Sequence, residues 1–274
     1  MTNRKQGLTI VYLILLVGSI IMVFPFLWSV LTSFKTQAES LAVPLKWMPE
    51  SWGFFNYKKI NETLPFVNLF LNTTLMVIFR CIFSVFLAAL AGYAFARLKF
   101  PLRNFFFMMV LIPMMVPGQV FILSQYLIVS KLGLLNTVTA LVIPGIVSTF
   151  GTFLLRQFFL GIPNDLEEAA ILDGCSIWQI FSKIMLPLTK SGLVSVGIFT
   201  ALFAWKDLMW PLIVNMSVDK LTLSAGLATL IGQYSINYPE LMAGSLIAIV
   251  PMIVLFLFLQ KQFIEGIVTS GIKG

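Results

Sequence analysis

The feature that most constrains this chain is a set of six long apolar runs, at about 8–31, 68–95, 105–129, 138–159, 193–214 and 242–263. Crossing the hydrocarbon core of a bilayer takes roughly 20 residues of α-helix. Only closed helices and barrels satisfy every backbone N–H and C=O group there. Six runs of this size predict an all-α polytopic membrane protein with six transmembrane helices. Composition agrees: 59% of the 274 residues are hydrophobic and 11% charged. Such values exclude a disordered chain and fit poorly to a soluble domain, whose residues would be roughly a quarter charged. The first run follows Arg4 and Lys5 as a signal peptide would. It is too long for one and has no small-residue cleavage site behind it, so a retained helix is expected. Pro113, Pro117, Pro144, Pro211 and Pro251 interrupt the runs. Membrane helices tolerate prolines where neighbouring groups satisfy the freed carbonyls, often beside a cavity.

Six crossings leave both termini on one side. Arg4, Lys5, Arg97, Lys99, Arg103, Arg156, Lys183, Lys190, Lys261 and Lys273 fall on that side, and Lys35, Lys46, Lys58, Lys59, Lys131 and Lys220 on the other. This bias predicts cytoplasmic N- and C-termini, because basic loops are retained in the cytoplasm. The net charge of +7 is explained the same way, as no basic block interleaved with aromatics suggests nucleic acid. With no histidine, there is no Ser/His or Cys/His dyad and no His-rich metal site. Cys81 and Cys175 cannot make a zinc site and are expected as free thiols. No catalytic and no metal-ligating residue is assigned. A single transmembrane domain, 1–274, is expected, without internal repeats. The outer segment from Phe34 to Val67 holds Trp47 and Trp52 and is expected to be ordered; that from Asn215 to Leu241 is polar.

The loop 161–191, cytoplasmic by this count, is unusual in carrying Asp165, Glu167, Glu168 and Asp173. Its local signals predict two short helices. Asn164 and Glu167 have capping-box spacing, and Gly174 offers a left-handed stop. Ser176 and Gln179 repeat the box, and Pro187 blocks continuation. Leu166, Ala169 and Ala170 fall on one face of the first helix, and Ile177, Ile180, Phe181 and Ile184 on one face of the second.

Within this loop, Glu168-Ala169-Ala170, then Asp173-Gly174, then nine residues to Ile184-Met185-Leu186-Pro187 resembles the EAA motif of ABC importer permeases. Further tracts resemble the carbohydrate branch of that family: Ala91 to Arg97, Leu132 to Thr137, Leu155 to Phe158, Trp210-Pro211-Leu212 and the tail from Gly266. Together they are similar to the shorter permease of maltose-type importers. Two positions depart from it: Lys206, where asparagine is common, and Ser191, where proline is common.

The resemblance implies a type I importer permease fold, in the cytoplasmic membrane of a prokaryote. It implies a second homologous permease, two ATP-binding subunits that hold ATP and Mg, and an extracytoplasmic solute-binding protein. A sugar or oligosaccharide would be moved by alternating access, with lipid around the spans. Glu168, Ala169, Ala170, Asp173, Gly174, Ile184, Leu186 and Pro187 would couple to the ATPase, and Gly271, Lys273 and Gly274 would reach it from the C-terminus. The chain has no Gly-Lys-Ser or Gly-Lys-Thr, so it carries no P-loop of its own. An anionic sugar or phosphorylated polyol is the alternative cargo, and an ion-coupled secondary transporter the alternative mechanism.

Charges within apolar spans cost about 2.5–3.5 kcal/mol on insertion scales and normally face a cavity or a partner. Arg80, Lys206 and Asp207 are such residues. With Gln119, Trp205 and Trp210 they form a candidate substrate pathway, since aromatic faces suit sugar C–H surfaces and polar groups suit hydroxyls. The opposing readings are a structurally paired Arg80 and an aromatic belt at the interface.

Overall fold

The computed structural model describes residues 2–232 and 236–271. In chain order the helices are α1 (Thr2–Ser33), α2 (Gln37–Ser40), α3 (Phe55–Thr63), α4 (Phe66–Arg97) and α5 (Arg103–Leu111). Next come α6 (Ile122–Lys131), α7 (Val138–Val142), α8 (Thr149–Leu160) and α9 (Asp165–Leu172). Then α10 (Ile177–Gln179), a π-helical stretch (Ile180–Met185) and α11 (Leu186–Leu188) run together as one rod. Last are α12 (Lys190–Trp205), α13 (Met209–Val214), α14 (Leu223–Ala228) and α15 (Tyr238–Gly271). Among the described residues the extended pairing is an isolated bridge, Ile231 to Ile236.

Three of the six apolar runs are continuous helices long enough to cross a bilayer: Val11–Ser33 in α1, Phe66–Arg97 in α4 and Tyr238–Gln260 in α15. The other three depart from straight spans, and prolines explain why. Run three bends by 102° between Arg103–Met115 and Gly118–Lys131, around Pro113 and Pro117. Run four bends by 44° between Val138–Gly145 and Thr149–Leu160. There Pro144 shifts the helix to a 3₁₀ turn, and the Ser148 side chain recaps α8 by accepting from the Gly151 N–H at 2.9 Å. Run five starts earlier than expected, at Lys190, turning 76° from the rod before it. Its helix stops at Trp205, so Lys206 and Asp207 lie in a break rather than on a continuous helix. Pro211 supplies the reason: it cannot donate to the carbonyl of Asp207 four residues back, but is tolerated in the first turn of α13.

The chain packs as two units, Met1–Val67 with Gly226–Val250 and Asn68–Ala225 with Pro251–Gly274. In the first, none of residues 11–31 of α1 is buried, so the helix shows apolar side chains all round, as a lipid-facing helix does. The aromatic segment after it is ordered, as expected. Lys35, only 1% exposed, sets its ammonium 4.2 Å from the centre of the Trp28 ring and donates to the Lys46 carbonyl. Asn56 ties the same turn by donating to the carbonyls of Ser33 and Lys35 at 2.8 and 2.9 Å. Phe34 packs against Trp52, Phe54 and Tyr57 with ring centres 5.3–5.7 Å apart. Lys59 pairs with Glu240 at the start of α15 at 3.4 Å.

The second unit has two apolar cores. One gathers Ala88, Ala89, Tyr93 and Ala96 of α4 with Leu155 and Phe159 of α8, Ala170 of α9, and Ile180, Phe181 and Met185 of the rod. The other joins Met76 of α4, Val129 of α6, Ala140 to Val142 of α7, Ala204 of α12, and Trp210 and Val214 of α13.

Candidate functional site

The loop 161–191 folds as two helices joined at Gly174, whose φ of +79° is the left-handed turn that glycine takes without Cβ strain. The Ser176–Gln179 capping box forms: the Gln179 N–H donates to Ser176 Oγ at 3.3 Å and the Ser176 N–H to Gln179 Oε1 at 2.8 Å. Pro187 sits in the last turn of the rod, which ends one residue later.

The expected Asn164–Glu167 box does not form. Asn164 lies at φ −64°, ψ −31°, already helical, where its side chain does not cap. Both side chains are engaged elsewhere. Arg97, at the end of α4, donates from Nη1 to Asn164 Oδ1 and from Nη2 to the carbonyls of Phe159 and Ile162. Its Nε lies 3.7 Å from Glu167 Oε2, and the Tyr93 hydroxyl donates to Glu167 Oε1 at 2.9 Å. The neighbouring carboxylates therefore point to different tasks. Glu167 is turned inward, while Glu168 is exposed and, among the described residues, has no hydrogen bond or ion pair.

The exposed side of the loop is also apolar. Leu166, Ile171, Leu172, Ile177 and Trp178 are exposed, Leu172 by 88%, beside Asp165, Glu168, Ala169 and Asp173. Of Leu166, Ala169 and Ala170, placed on one face of α9 by their spacing, Ala170 is buried and the other two are exposed. On the rod, Ile180, Phe181 and Met185 are buried and Ile184 and Leu186 partly so. A rigid base thus carries an outward patch of apolar side chains and carboxylates, a form suited to a protein partner.

The charged and aromatic residues of the spans meet around Pro144. In a regular helix the Ala140 carbonyl would accept from residue 144, which has no N–H. Trp210 Nε1 donates to it instead, at 2.9 Å. The next carbonyl, of Leu141, accepts from Nε of Arg80 at 2.9 Å and also from Nη2. Arg80 Nη1 then reaches Asp207 Oδ2 at 2.9 Å, from α4 to the break before α13. Gly145 makes room: a Cβ there would lie 2.4 Å from Arg80 Cδ. Arg80 is thus paired with Asp207 in the structure, and the buried Trp210 ring lies in the second core.

Other pathway candidates lie apart. Gln119 borders an open cavity of about 510 Å³ with Ile122, Leu123, Tyr126, Met209 and Ile213. A smaller one of about 150 Å³ meets Arg80, Ser84, Ser148 and Thr200 beside Phe150, Phe199 and Phe203. Trp205 packs edge-on to Phe70 at 5.9 Å, and its carbonyl accepts from the Ser224 hydroxyl at 3.0 Å. Lys206 is exposed, its ammonium 4.7 Å from the Phe203 ring centre. Of the proposed C-terminal contact, Gly271 ends α15, and Lys273 and Gly274 lie outside the described residues. Tyr93, Arg97 and Glu167 were missed as a group from sequence. The available signal was an aromatic and an arginine four residues apart, on one helix face, at the end of a span facing an acidic loop.

Comparison with known proteins gives concordant matches. Residues 84–264 match the family described as binding-protein-dependent transport system inner membrane component. The chain is 39% identical over 257 residues to the arabinooligosaccharides transport system permease protein AraQ of Halalkalibacterium halodurans, covering 93% of this chain and 92% of that one. It is 37% identical to AraQ of Bacillus subtilis, covering 98% and 96%. It is 30% identical to the sn-glycerol-3-phosphate transport system permease protein UgpE of Pectobacterium atrosepticum, covering 98% and 99%. In fold it is similar to a chain of a bacterial ABC transporter involved in the import of the acidic polysaccharide alginate. The TM-score is 0.83 at 22% identity, covering 96% of this chain and 98% of that one.

Proposed function

Because the chain belongs to the family of binding-protein-dependent transport system inner membrane components, we propose that its outward patch on 161–191 is the docking surface for a separate ATPase subunit. The protein is a permease subunit of an ABC importer, a multi-pass component of the inner membrane that works with an ATPase and a solute-binding protein. In the proposed assembly a second, homologous permease completes the pathway, and two ATPase subunits bind ATP and Mg. Both termini and the docking surface face the cytoplasm, in keeping with the distribution of Lys and Arg.

The observation that carries this reading is the contrast between Glu167 and Glu168. One acid fixes the loop from within, and the next is presented, unpaired among the described residues, beside exposed Ile171 and Leu172. A carboxylate of this kind offers a charge-assisted hydrogen bond to a basic group of a partner. Closure of the ATPase pair on ATP would drive the loop and tilt the spans between inward- and outward-open states.

For cargo we propose a sugar or oligosaccharide, as the names of the AraQ relatives imply for those proteins. Arg80 gives its charge to Asp207, which favours a neutral sugar over a phosphorylated one. The exposed Lys206 and the match to UgpE support the second reading, an anionic sugar or phosphorylated polyol.

The docking role is tested by Glu168→Lys and Gly174→Val in the full complex. The expected result is a permease that inserts normally but no longer retains the ATPase on purification and no longer imports. Normal retention and import by both variants would overturn it.

A further inference from the structure

We propose that Arg97 and Tyr93 are positioning residues that hold α9 rigidly to α4, so that a displacement of the docking surface is delivered to the second span. This rests on the docking role given above.

The Arg97 side chain is only 6% exposed, and its hydrogen bonds and ion pair go to the stretch from the end of α8 to the first turn of α9: the carbonyls of Phe159 and Ile162, the side chain of Asn164 and the carboxylate of Glu167. Its Nε is buried with no hydrogen bond, held to Glu167 by charge alone. A planar fork that satisfies three acceptors on one turn fixes direction as well as distance, which a lysine cannot reproduce. Tyr93 stands one helical turn earlier on the same face of α4. Its hydroxyl reaches the other oxygen of Glu167, and its ring packs against Phe159 of α8 at 5.6 Å and Phe181 of the rod at 5.1 Å.

The last turn of α4 therefore grips the end of α8, the start of α9 and the second loop helix together. A packed aromatic hub and a buried charged network are the kind of contiguous contacts that carry coupling between sites. A network placed only for stability would be equally served by an inward Glu167 capping its own helix. Here the cap is given up, and both side chains of the expected box bind the neighbouring span.

The test uses the complete importer in proteoliposomes with ATP trapped inside, its binding protein outside and arabinotriose as probe. The variants are Arg97→Gln and the milder Tyr93→Phe, which keeps the ring. In Arg97→Gln the ATPase should copurify at wild-type yield and ATP turnover should stay within about twofold, while arabinotriose imported per ATP falls about tenfold, a usual size for coupling between sites. Tyr93→Phe should show a smaller fall in the same ratio. A second arm needs no substrate. Nitroxides at Pro163→Cys, just before α9 and outside the docking patch, and at Lys99→Cys, with Cys81 and Cys175 replaced by serine, should give one narrow distance that is the same without nucleotide and with ATP and vanadate. Arg97→Gln should broaden it. A distance that stays narrow in Arg97→Gln, or uptake and turnover that fall in parallel, would overturn the proposal. Loss of the docking role itself would show separately, as full ATPase retention by the Glu168 and Gly174 variants with the distance result intact.

Discussion

Trp210 Nε1 donates to the Ala140 carbonyl at 2.9 Å, taking the place of the N–H that Pro144 lacks. The broken fourth span is thus completed by a side chain from α13, in the last part of the fifth run. Arg80 donates to the next carbonyl, of Leu141, from the second span. In a bilayer a carbonyl freed by proline must find a neighbouring helix, a polar side chain or an ordered water, and here it finds the Trp210 indole.

Trp210→Phe keeps the ring in the core but leaves the Ala140 carbonyl unpaired. It should lower stability by about 1–3 kcal/mol, the cost of an unsatisfied buried polar group. Thermal unfolding of the purified protein in detergent checks this, and an unchanged midpoint would mean that another donor takes over.

Arg80 and Asp207 should behave as a coupled buried pair. Asp207→Ala leaves the arginine uncompensated and should cost about 3–5 kcal/mol, whereas the double variant Arg80→Met with Asp207→Ala should cost less than the sum of the singles. A double-mutant cycle by unfolding measures the interaction term. A term near zero would assign Asp207 a role other than neutralising Arg80.

How much of this was visible in the sequence follows from which interactions are local. The turn at Gly174 and the Ser176 cap depend on neighbours within a few residues, and they are found where the residues imply. The failed cap at Asn164 and the inward turn of Glu167 depend on Arg97, 67 residues from Asn164 in sequence. No window around Asn164 contains that competitor, and tertiary contacts override local capping signals. The bends at Pro117 and Pro144 were legible as interruptions, but their angles are set by what the freed groups find on other helices. Trp210 drew notice as an aromatic fit for sugar. Its place in the core follows from Pro144, 66 positions earlier in the chain, through a bond that only the fold reveals.

Gly145→Ala places a methyl where Arg80 Cδ runs, 2.4 Å away. Overpacking of this kind costs about 1–3 kcal/mol. The same substitution made together with Arg80→Ala should add almost nothing, because the obstructing chain is gone. Equal costs in both backgrounds, measured by unfolding, would contradict the close approach.

Glu39 gives the outer segment a pH dependence. Its carboxylate accepts the N–H of Thr36 at 2.6 Å and the N–H of Glu50 at 2.7 Å, and these bonds hold its pKa below the usual carboxylate value. A depressed pKa stabilises the fold above the unfolded value, about 4.3, and that contribution is lost as pH falls through the folded value. Thermal midpoints followed from pH 7 down to about pH 3 should fall most steeply at the acidic end. Glu39→Gln should be less stable at neutral pH and show a shallower acid limb. An identical profile for the variant would place the acid sensitivity elsewhere.

The most direct test of the central claim is uptake by proteoliposomes holding this permease, its partner permease and the ATPase, with the solute-binding protein outside and arabinotriose as the first probe. The expected result is uptake only when ATP is trapped inside, unchanged by a protonophore, and lost on Glu168→Lys. Uptake without ATP that collapses with the protonophore would contradict it, since energy would then enter through an ion gradient and not through the docking surface.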